Sequence, residues 1–556
     1  MVLRGVNRRY QHLKRYRQIA ETLLRHGFGF LLQQLDLLHL LPWRRRFFKL
    51  EQVDDSALGR RLRLVLEELG PTFVKLGQML STRGDMISHD VLVELQKLQD
   101  EVPGVEFAVI KEQVEQELGR TLDEVFDSFE EYPMAAASIG QVHRAVINGE
   151  AVVVKVRRPG IQRTIETDLE ILQGFARLVQ ERYSIEVFDP VELIDEFARE
   201  LRRELDYTIE ARNASRFRDN LLYDEHIHVP RVYWPYTTPR VLTMELVIGT
   251  KVNQVDVLQA KGIDVGAIAK WGAQSFMEQV MVHGYFHGDP HPGNILIEED
   301  GTIAFIDFGI MGRLDKTTMG ELADLFISIT RQDIPSIIES LRAIAVFSSR
   351  VNLMELERDL DDVLFRYYGK ALVDLSMSAV VEDLLSVTRK HGIGLPSDFA
   401  LLVKSLILIE GVGRSLDDTF NIFEIAEPFA RDLLRERYQP HRIAKKALES
   451  GWSYSQMLMQ LPSKLDTTLD LVNQDRLQVI FRHKGLEELM VRLDIASNRL
   501  SFALIVAALV IGSSFMVQSN KGPALFGLPA LGVAGFLVAA FFGIWLIISI
   551  VRSGRI

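Results

Sequence analysis

A chain of 556 residues with 47% apolar and 25% charged residues is longer than one hydrophobic core usually organises, so two or three structural units are expected. It contains no cysteine, which excludes disulfides, thiolate metal sites and a cysteine nucleophile. Net charge is −11, and the basic residues do not recur with interleaved aromatics through the body, so no nucleic-acid partner is expected.

The sign of the charge is uneven along the chain. Residues 1–50 form a basic leader, with Arg4, Arg8, Arg9, Lys14, Arg15, Arg17 and Arg25 among its cations and only Glu21 and Asp36 as acids. Its apolar residues, Leu23, Leu24, Phe28, Leu31 and Leu35 among them, fit an amphipathic helix that either lies on an anionic membrane or packs on the body with a solvated basic face. From Asp54 to about Leu118 the pattern is helical, interrupted by "LGPTFVKLGQMLSTRGD". Next, "AAASIGQVHRAVINGEAVVVKVRRP" holds two β-branched runs around Asn148-Gly149, the signature of an antiparallel hairpin. A long charged helix is expected from about Pro190 to Phe217. "RVYW" and "RVLTMELV" read as strands. Beyond Val255 the pattern is almost wholly helical, apart from a second hairpin, "NILIEEDGTIAFID", turning at Asp300-Gly301.

The mean hydropathy of +0.07 is high for a soluble protein, and the tail explains it. Two apolar stretches, Leu500–Val517 and about Leu525–Val551, are each about long enough to cross a hydrocarbon core, which takes ~20 helical residues. Arg492, Arg499, Arg552 and Arg555 flank the pair, against a lone Lys521 between them. That asymmetry places both outer ends, and with them the body, on the cytoplasmic side.

The densest chemistry lies in "HGDPHPGNILIEEDGTIAFIDFG". Phosphoryl transfer from ATP requires a cation on the phosphates, oxygen ligands for Mg2+ and a group to orient the acceptor. Asp289 and Asn294 have the Asp-x-x-x-x-Asn spacing of a catalytic loop, and Asp307 opens an Asp-Phe-Gly just beyond the second hairpin. That hairpin returns Asn294 and Asp307 to each other, as hard oxygen ligands for one Mg2+. Upstream, "AVVVKV" puts Lys155 on a strand, where a phosphate-binding lysine belongs. Its carboxylate partner is expected on the Pro190 helix, where Glu204 and Glu210 project about 120° apart. At the position of a Gly-rich phosphate loop stands Ala135-Ala136-Ala137-Ser138-Ile139-Gly140-Gln141, a stiffer segment that should hold nucleotide differently. Backbone groups near Glu245 and Leu246 are the expected adenine contact. His283, His287 and His291 recur every four residues, but Gly and Pro around them favour loop-shaping over metal ligation.

These residues together resemble the UbiB family of atypical kinase-like proteins, also called ABC1 or ADCK, over about residues 55–430. The marks are Lys75, Gly77 and Gln78 of a Lys-x-Gly-Gln motif, the Ala-rich segment, Glu204 and Asp206 of a Glu-x-Asp motif, "HGDPHPGN" and "DFG". The resemblance implies an α+β, bilobal protein-kinase-like fold with an N-terminal helical extension that covers the active site, together with a C-terminal two-helix transmembrane hairpin. Its expected divisions are a leader at 1–50, an extension at 51–118, an N-lobe at 119–250, a C-lobe at 251–435, a helical linker at 436–498 and the hairpin at 499–552. It further implies that Glu210 pairs with Lys155, and that Lys75 and Gln78 meet Glu204 and Asp206. Two features depart from ordinary protein kinases: Gly288 stands where His-Arg-Asp has arginine, and no Ala-Pro-Glu follows Asp307.

The expected function is a membrane-anchored ATPase of the bacterial inner (cytoplasmic) membrane, body inward, that uses ATP and Mg2+ to support isoprenoid quinone biosynthesis. Membrane lipids, prenylated quinone precursors and quinone-biosynthesis enzymes are the partners implied, with homodimerisation left open. The competing readings are a small-molecule or lipid phosphotransferase and a non-catalytic ATP-binding scaffold.

Overall fold

The computed structural model describes residues 2–29, 58–81, 87–98, 103–182, 189–347, 351–367, 377–437, 486–519, 523–525 and 528–552. The leader beyond residue 29 and most of the expected linker lie outside these residues. The chain divides into two compact units, Met1–Lys446 and Ala447–Ile556.

The first unit contains a mixed helix and sheet, kinase-like body. Strands Gly140–Ile147 and Glu150–Arg157 form the expected antiparallel hairpin. Asn148 and Gly149 both take positive φ, 51° and 78°, the geometry that lets a two-residue turn follow the twist of its strands. Val241–Glu245 pairs with the second strand, bringing Leu242 opposite Lys155. Val152, Val154 and Val156 are fully buried on one face, so strand alternation places Lys155 on the other. That apolar face packs on Ile110 and Val114 of helix Phe107–Leu118. This helix therefore packs with the small-lobe sheet. "RVYW" is not a strand: it supplies one bridge, Val232 to Met244, and then turns as a 3-10 helix at Trp234–Tyr236, where Pro235 has no amide hydrogen to donate to a ladder.

The extension forms a helical core of its own. Leu58–Leu69, Pro71–Ser81, His89–Leu95, Ile161–Arg182 and Pro190–Glu204 share a cluster containing Leu66, Leu69, Leu95, Ile165, Leu169, Phe197 and Leu201. The Lys-x-Gly-Gln segment is itself helical, Pro71–Ser81, and Gly70 before it takes φ 93°. Gly77 is where helices meet: a Cβ there would lie 2.3 Å from Leu98 and 2.7 Å from Leu66. The leader docks on this core through buried Ile19 and Ala20. Arg15 adds two bonds to the buried Asp168 carboxylate (2.7 and 2.9 Å) and one to Leu69 O (2.7 Å). Over its described side chains the leader is thus a packing helix.

The expected long helix from Pro190 to Phe217 is two helices, Pro190–Glu204 and Tyr207–Asn220. Asp206 causes the break, because its carboxylate accepts from Thr208 N at 3.0 Å and from Thr208 Oγ1 at 2.7 Å, an N-cap that starts a new helix. Glu204 and Glu210 therefore diverge by belonging to different helices, the first in the extension's core and the second beside the large lobe. That lobe buries Phe217, Phe276, Phe286, Phe305 and Phe308 together. Its hairpin Ile295–Ile297 and Ile303–Phe305 forms as expected. A further pair, Tyr285–His287 with Met311–Arg313, was not read from the sequence.

The second unit contains helices Leu486–Ser519 and Ala530–Arg552. Within the first, Ser497–Gln518 is 22 residues long with a hydropathy of 2.4, or about 33 Å at the helical rise, enough to cross a bilayer. The second has a shorter apolar run, Ala530–Leu546, and begins later than Leu525 because Leu528–Pro529 pairs with Ala524–Leu525. Small residues let the two pack closely, as in membrane helix pairs: a Cβ on Gly535 would meet Ser513 Oγ, and one on Gly532 would meet Val517.

Candidate functional site

Strand alternation points the Lys155 ammonium into the cleft between the lobes, where Glu210 receives it through both carboxylate oxygens at 2.9 Å. Only 7% of the Glu210 side chain is exposed. Asp307 lies on the far side, its Oδ2 3.6 Å from the same ammonium. Burial opposes the charge on Lys155, but Asp307 and Glu210 outweigh it and hold the ammonium well above its ordinary pKa. Burial likewise opposes ionisation of Asp307, and the Lys155 charge with the Gly309 amide (2.9 Å to Oδ1) holds it below the usual carboxylate range. The charge on Lys75 reaches Asp307 in the same sense. The extension thus acts on the site electrically.

The second hairpin places Asn294 beside Asp307, with Ile306 N donating to Asn294 O at 3.1 Å. The amide nitrogen of Asn294 donates to Asp289 O at 3.1 Å, which leaves its side-chain oxygen for other partners. His287 joins the two motifs. Its Nδ1 accepts from Asp289 N at 3.2 Å and its Nε2 donates to Asp307 O. Burial lowers its pKa, so the neutral ring with one acceptor and one donor suits both bonds. His291 accepts from Gly293 N at 3.0 Å, again shaping the loop. Among the described residues no group of three or more His, Asp or Glu could hold a metal ion. A site of one carboxylate and one amide oxygen still fits Mg2+, which takes its other ligands from phosphates and water.

Several expected site residues are engaged elsewhere among the described residues. Lys75 Nζ does donate to Glu204 Oε1 at 2.8 Å. Gln78, however, donates to Leu98 O at 3.3 Å, and Asp206 is occupied as a helix cap. In the Ala-rich segment, Ala135–Ala136 pairs with the next strand and Ala137 N donates to Gly140 O at 2.8 Å, so the turn is tight. Ser138 and Ile139 are buried. Gln141 is fully buried too, accepting from Val105 N at 2.7 Å and donating to His143 Nε2 at 2.8 Å; it holds the small lobe together and is not open to a nucleotide. Gly140 has a steric reason, since a Cβ would fall 2.1 Å from Tyr207 Oη. The amides of Glu245 and Leu246 already donate, to Arg231 O at 2.9 Å and Ala151 O at 3.1 Å. A base edge seeking a backbone donor must look beyond Leu246.

Four contributors escaped the sequence reading. Tyr207 lies 5.4 Å below the Lys155 ammonium, and its buried hydroxyl has no hydrogen-bond partner. Asn213 donates to Phe308 O at 2.9 Å and accepts from Tyr285 Oη at 3.0 Å, which ties the Glu210 helix to Asp-Phe-Gly. Lys404 puts its ammonium 3.0 Å from Asp289 Oδ1. His228 links the end of the small-lobe sheet to the second hairpin, at 3.5 Å from Glu245 and 3.1 Å from Glu298. Lys404 alone left a signal, as the lone charge in an apolar run from Phe399 to Ile409.

Residues 97–341 match the ABC1 atypical kinase-like domain, residues 360–421 the UbiB helical domain, and residues 484–552 the ABC1/UbiB kinase-like C-terminal domain. The chloroplastic protein Activity of BC1 complex kinase 8 from Arabidopsis thaliana is 30% identical, covering 98% of this chain and 76% of its own. This chain belongs to the ABC1/UbiB family of atypical kinase-like proteins. An uncharacterized protein of the hydrogenase 1 5′ region of Clostridium pasteurianum is 31% identical over 98% of this chain and 99% of its own. A solved structure from Mycobacterium tuberculosis, titled as the complex of Rv3197 with erythromycin, is 22% identical over 67% of this chain and 96% of its own, with a TM-score of 0.45. Gly288 in this ABC1/UbiB chain leaves no room for the arginine of ordinary kinases, because a Cβ would meet Leu401 and Ile310 at 2.8 Å.

Proposed function

We propose that the protein is a membrane-anchored, ATP-dependent kinase-like enzyme that hydrolyses ATP in support of isoprenoid quinone biosynthesis, acting on lipid precursors or on the enzymes that process them. The observation that carries the nucleotide part is the arrangement of Lys155 between Glu210 and Asp307, with Asn294 beside Asp307 and bonded to Asp289 O. Asp307 and Asn294 are the residues that would hold Mg2+, which when bound neutralises phosphate charge. Glu210 fixes the Lys155 ammonium so that it meets the phosphates without a search through rotamers. Tyr207 lies under the Lys155 ammonium and walls the same place. Asp289 stands where the acceptor, here water, is oriented.

Support for the membrane part is the 22-residue apolar helix, of whose length only 6% is buried, packed on a second apolar helix through Gly and Ser. Flanking arginines favour the cytoplasmic face of an inner membrane. Polyprenyl intermediates reside in that bilayer, which gives an anchored nucleotide enzyme access to them. Calorimetry on full-length protein in phospholipid nanodiscs should show magnesium-dependent ATP binding. Hydrolysis should rise when phenolic prenyl lipids are added and should vanish in Asp307→Asn. An Asp307→Asn protein as active as the parent would end the proposal.

A further inference from the structure

The loop from Gly288 to Asn294, "GDPHPGN", contains no lysine or arginine. Transfer from a nucleoside triphosphate builds negative charge at the terminal phosphoryl group, so a cation is expected on the Asp289 side as well as at Lys155. The structure supplies one from far along the chain. Helix Ser397–Leu416 packs across the loop, with Leu401 over Gly288 and Lys404, three residues on and hence on the same face, at Asp289. Leu402, Ser405 and Ile409 are buried, so the helix is held by its core and not by the ion pair. His291 Nε2 approaches the other oxygen of Asp289 at 3.7 Å.

Resting on the nucleotide reading above, we propose that Lys404, paired with Asp289 in this structure, is a second phosphate-binding lysine that moves to the terminal phosphate of a bound nucleoside triphosphate. An ammonium left on Asp289 would compete with the acceptor for that carboxylate. A triphosphate brings a denser charge within reach of the flexible four-carbon stem, and the exchange frees Asp289 when it is needed. The same helix fills the space above Gly288, so one element both excludes an arginine there and supplies a cation.

The distinguishing measurement is affinity for ATP against ADP, since only ATP has the terminal phosphate. In full-length protein with magnesium, Lys404→Gln should weaken ATP about tenfold, the loss of one charge-assisted hydrogen bond, and leave ADP within about twofold. Lys404→Arg should retain most of the ATP affinity. Equal loss for both nucleotides, or loss for neither, would overturn the assignment. Should Lys404→Gln not fold, acylation of Lys404 in the parent protein, read by mass spectrometry, serves instead: ATP must protect it more than ADP, and equal protection refutes the claim. A parent protein that binds neither nucleotide would instead remove the reading beneath it.

Discussion

Two lysine–carboxylate pairs of nearly equal length carry different burdens. Lys155 meets Glu210 at 2.9 Å and Lys75 meets Glu204 at 2.8 Å, and the two lysines are similarly exposed, but Glu210 is 7% exposed and Glu204 21%. In the first pair, removing one partner strands a charge in the interior. In the second, Glu204 keeps more contact with water than Glu210 does, so losing either partner costs less. The difference teaches that distance alone does not rank ion pairs: the Lys155 pair is a fixed part of the site, and the Lys75 pair is a latch that can open. Its helix is held elsewhere, by the close contact at Gly77.

The largest effect is expected at the buried pair. Lys155→Met should cost ~3 kcal/mol or more in denaturant unfolding, and adding Glu210→Leu should restore much of it, while magnesium-dependent ATP binding is lost in both. A single variant as stable as the parent would remove the contrast. Next comes Gly77→Val, which forces Leu66 and Leu98 apart and should cost about 1–3 kcal/mol by the same unfolding measurement. If it proves neutral, the helix is held by the latch after all.

A third link is sensitive to pH. Bonds to Glu245 and then Glu298, against partial burial, raise His228 to about 9 from an ordinary 6.5. A raised histidine stabilises the fold fully below its unfolded value and loses that contribution as pH climbs. Thermal stability should therefore decline between pH 6.5 and 9 through this group, and His228→Gln should flatten that part of the profile. Unaltered slopes would remove His228 from the interlobe contact. The smallest effect belongs to Lys75→Met, below ~1 kcal/mol, with any larger consequence confined to nucleotide access. A double-mutant cycle with Glu204 that exceeded this would make the latch a structural pair.

Local rules made several features legible. Asn148-Gly149 fixed a hairpin because few residue pairs adopt two positive φ values. The order Lys155, Asp289, Asn294, Asp307 marked the cleft because phosphoryl transfer requires those groups, and the structure brings Lys155, Asn294 and Asp307 together. The helix break at Asp206 was missed although its cause is local, since a run of charged residues masked a cap. Gln78 misled because the family motif implied a meeting with Glu204 and Asp206, and Gln141 and Leu246 because groups near a site were read as open to a ligand. Their hydrogen bonds are already made with Leu98, Val105 and Ala151, residues whose proximity no window of sequence displays.

By itself the sequence determined the chemical kinds present: one strand lysine, a loop acid and amide, a second acid after a hairpin, and an apolar tail. Tertiary structure decided which of many acids receives Lys155, which hydroxyl is stranded beside it, and that Lys404 stands at Asp289. The reason is physical. Periodicity and turn chemistry act over a few residues, whereas the partner of a buried charge is chosen by how separate helices pack around it.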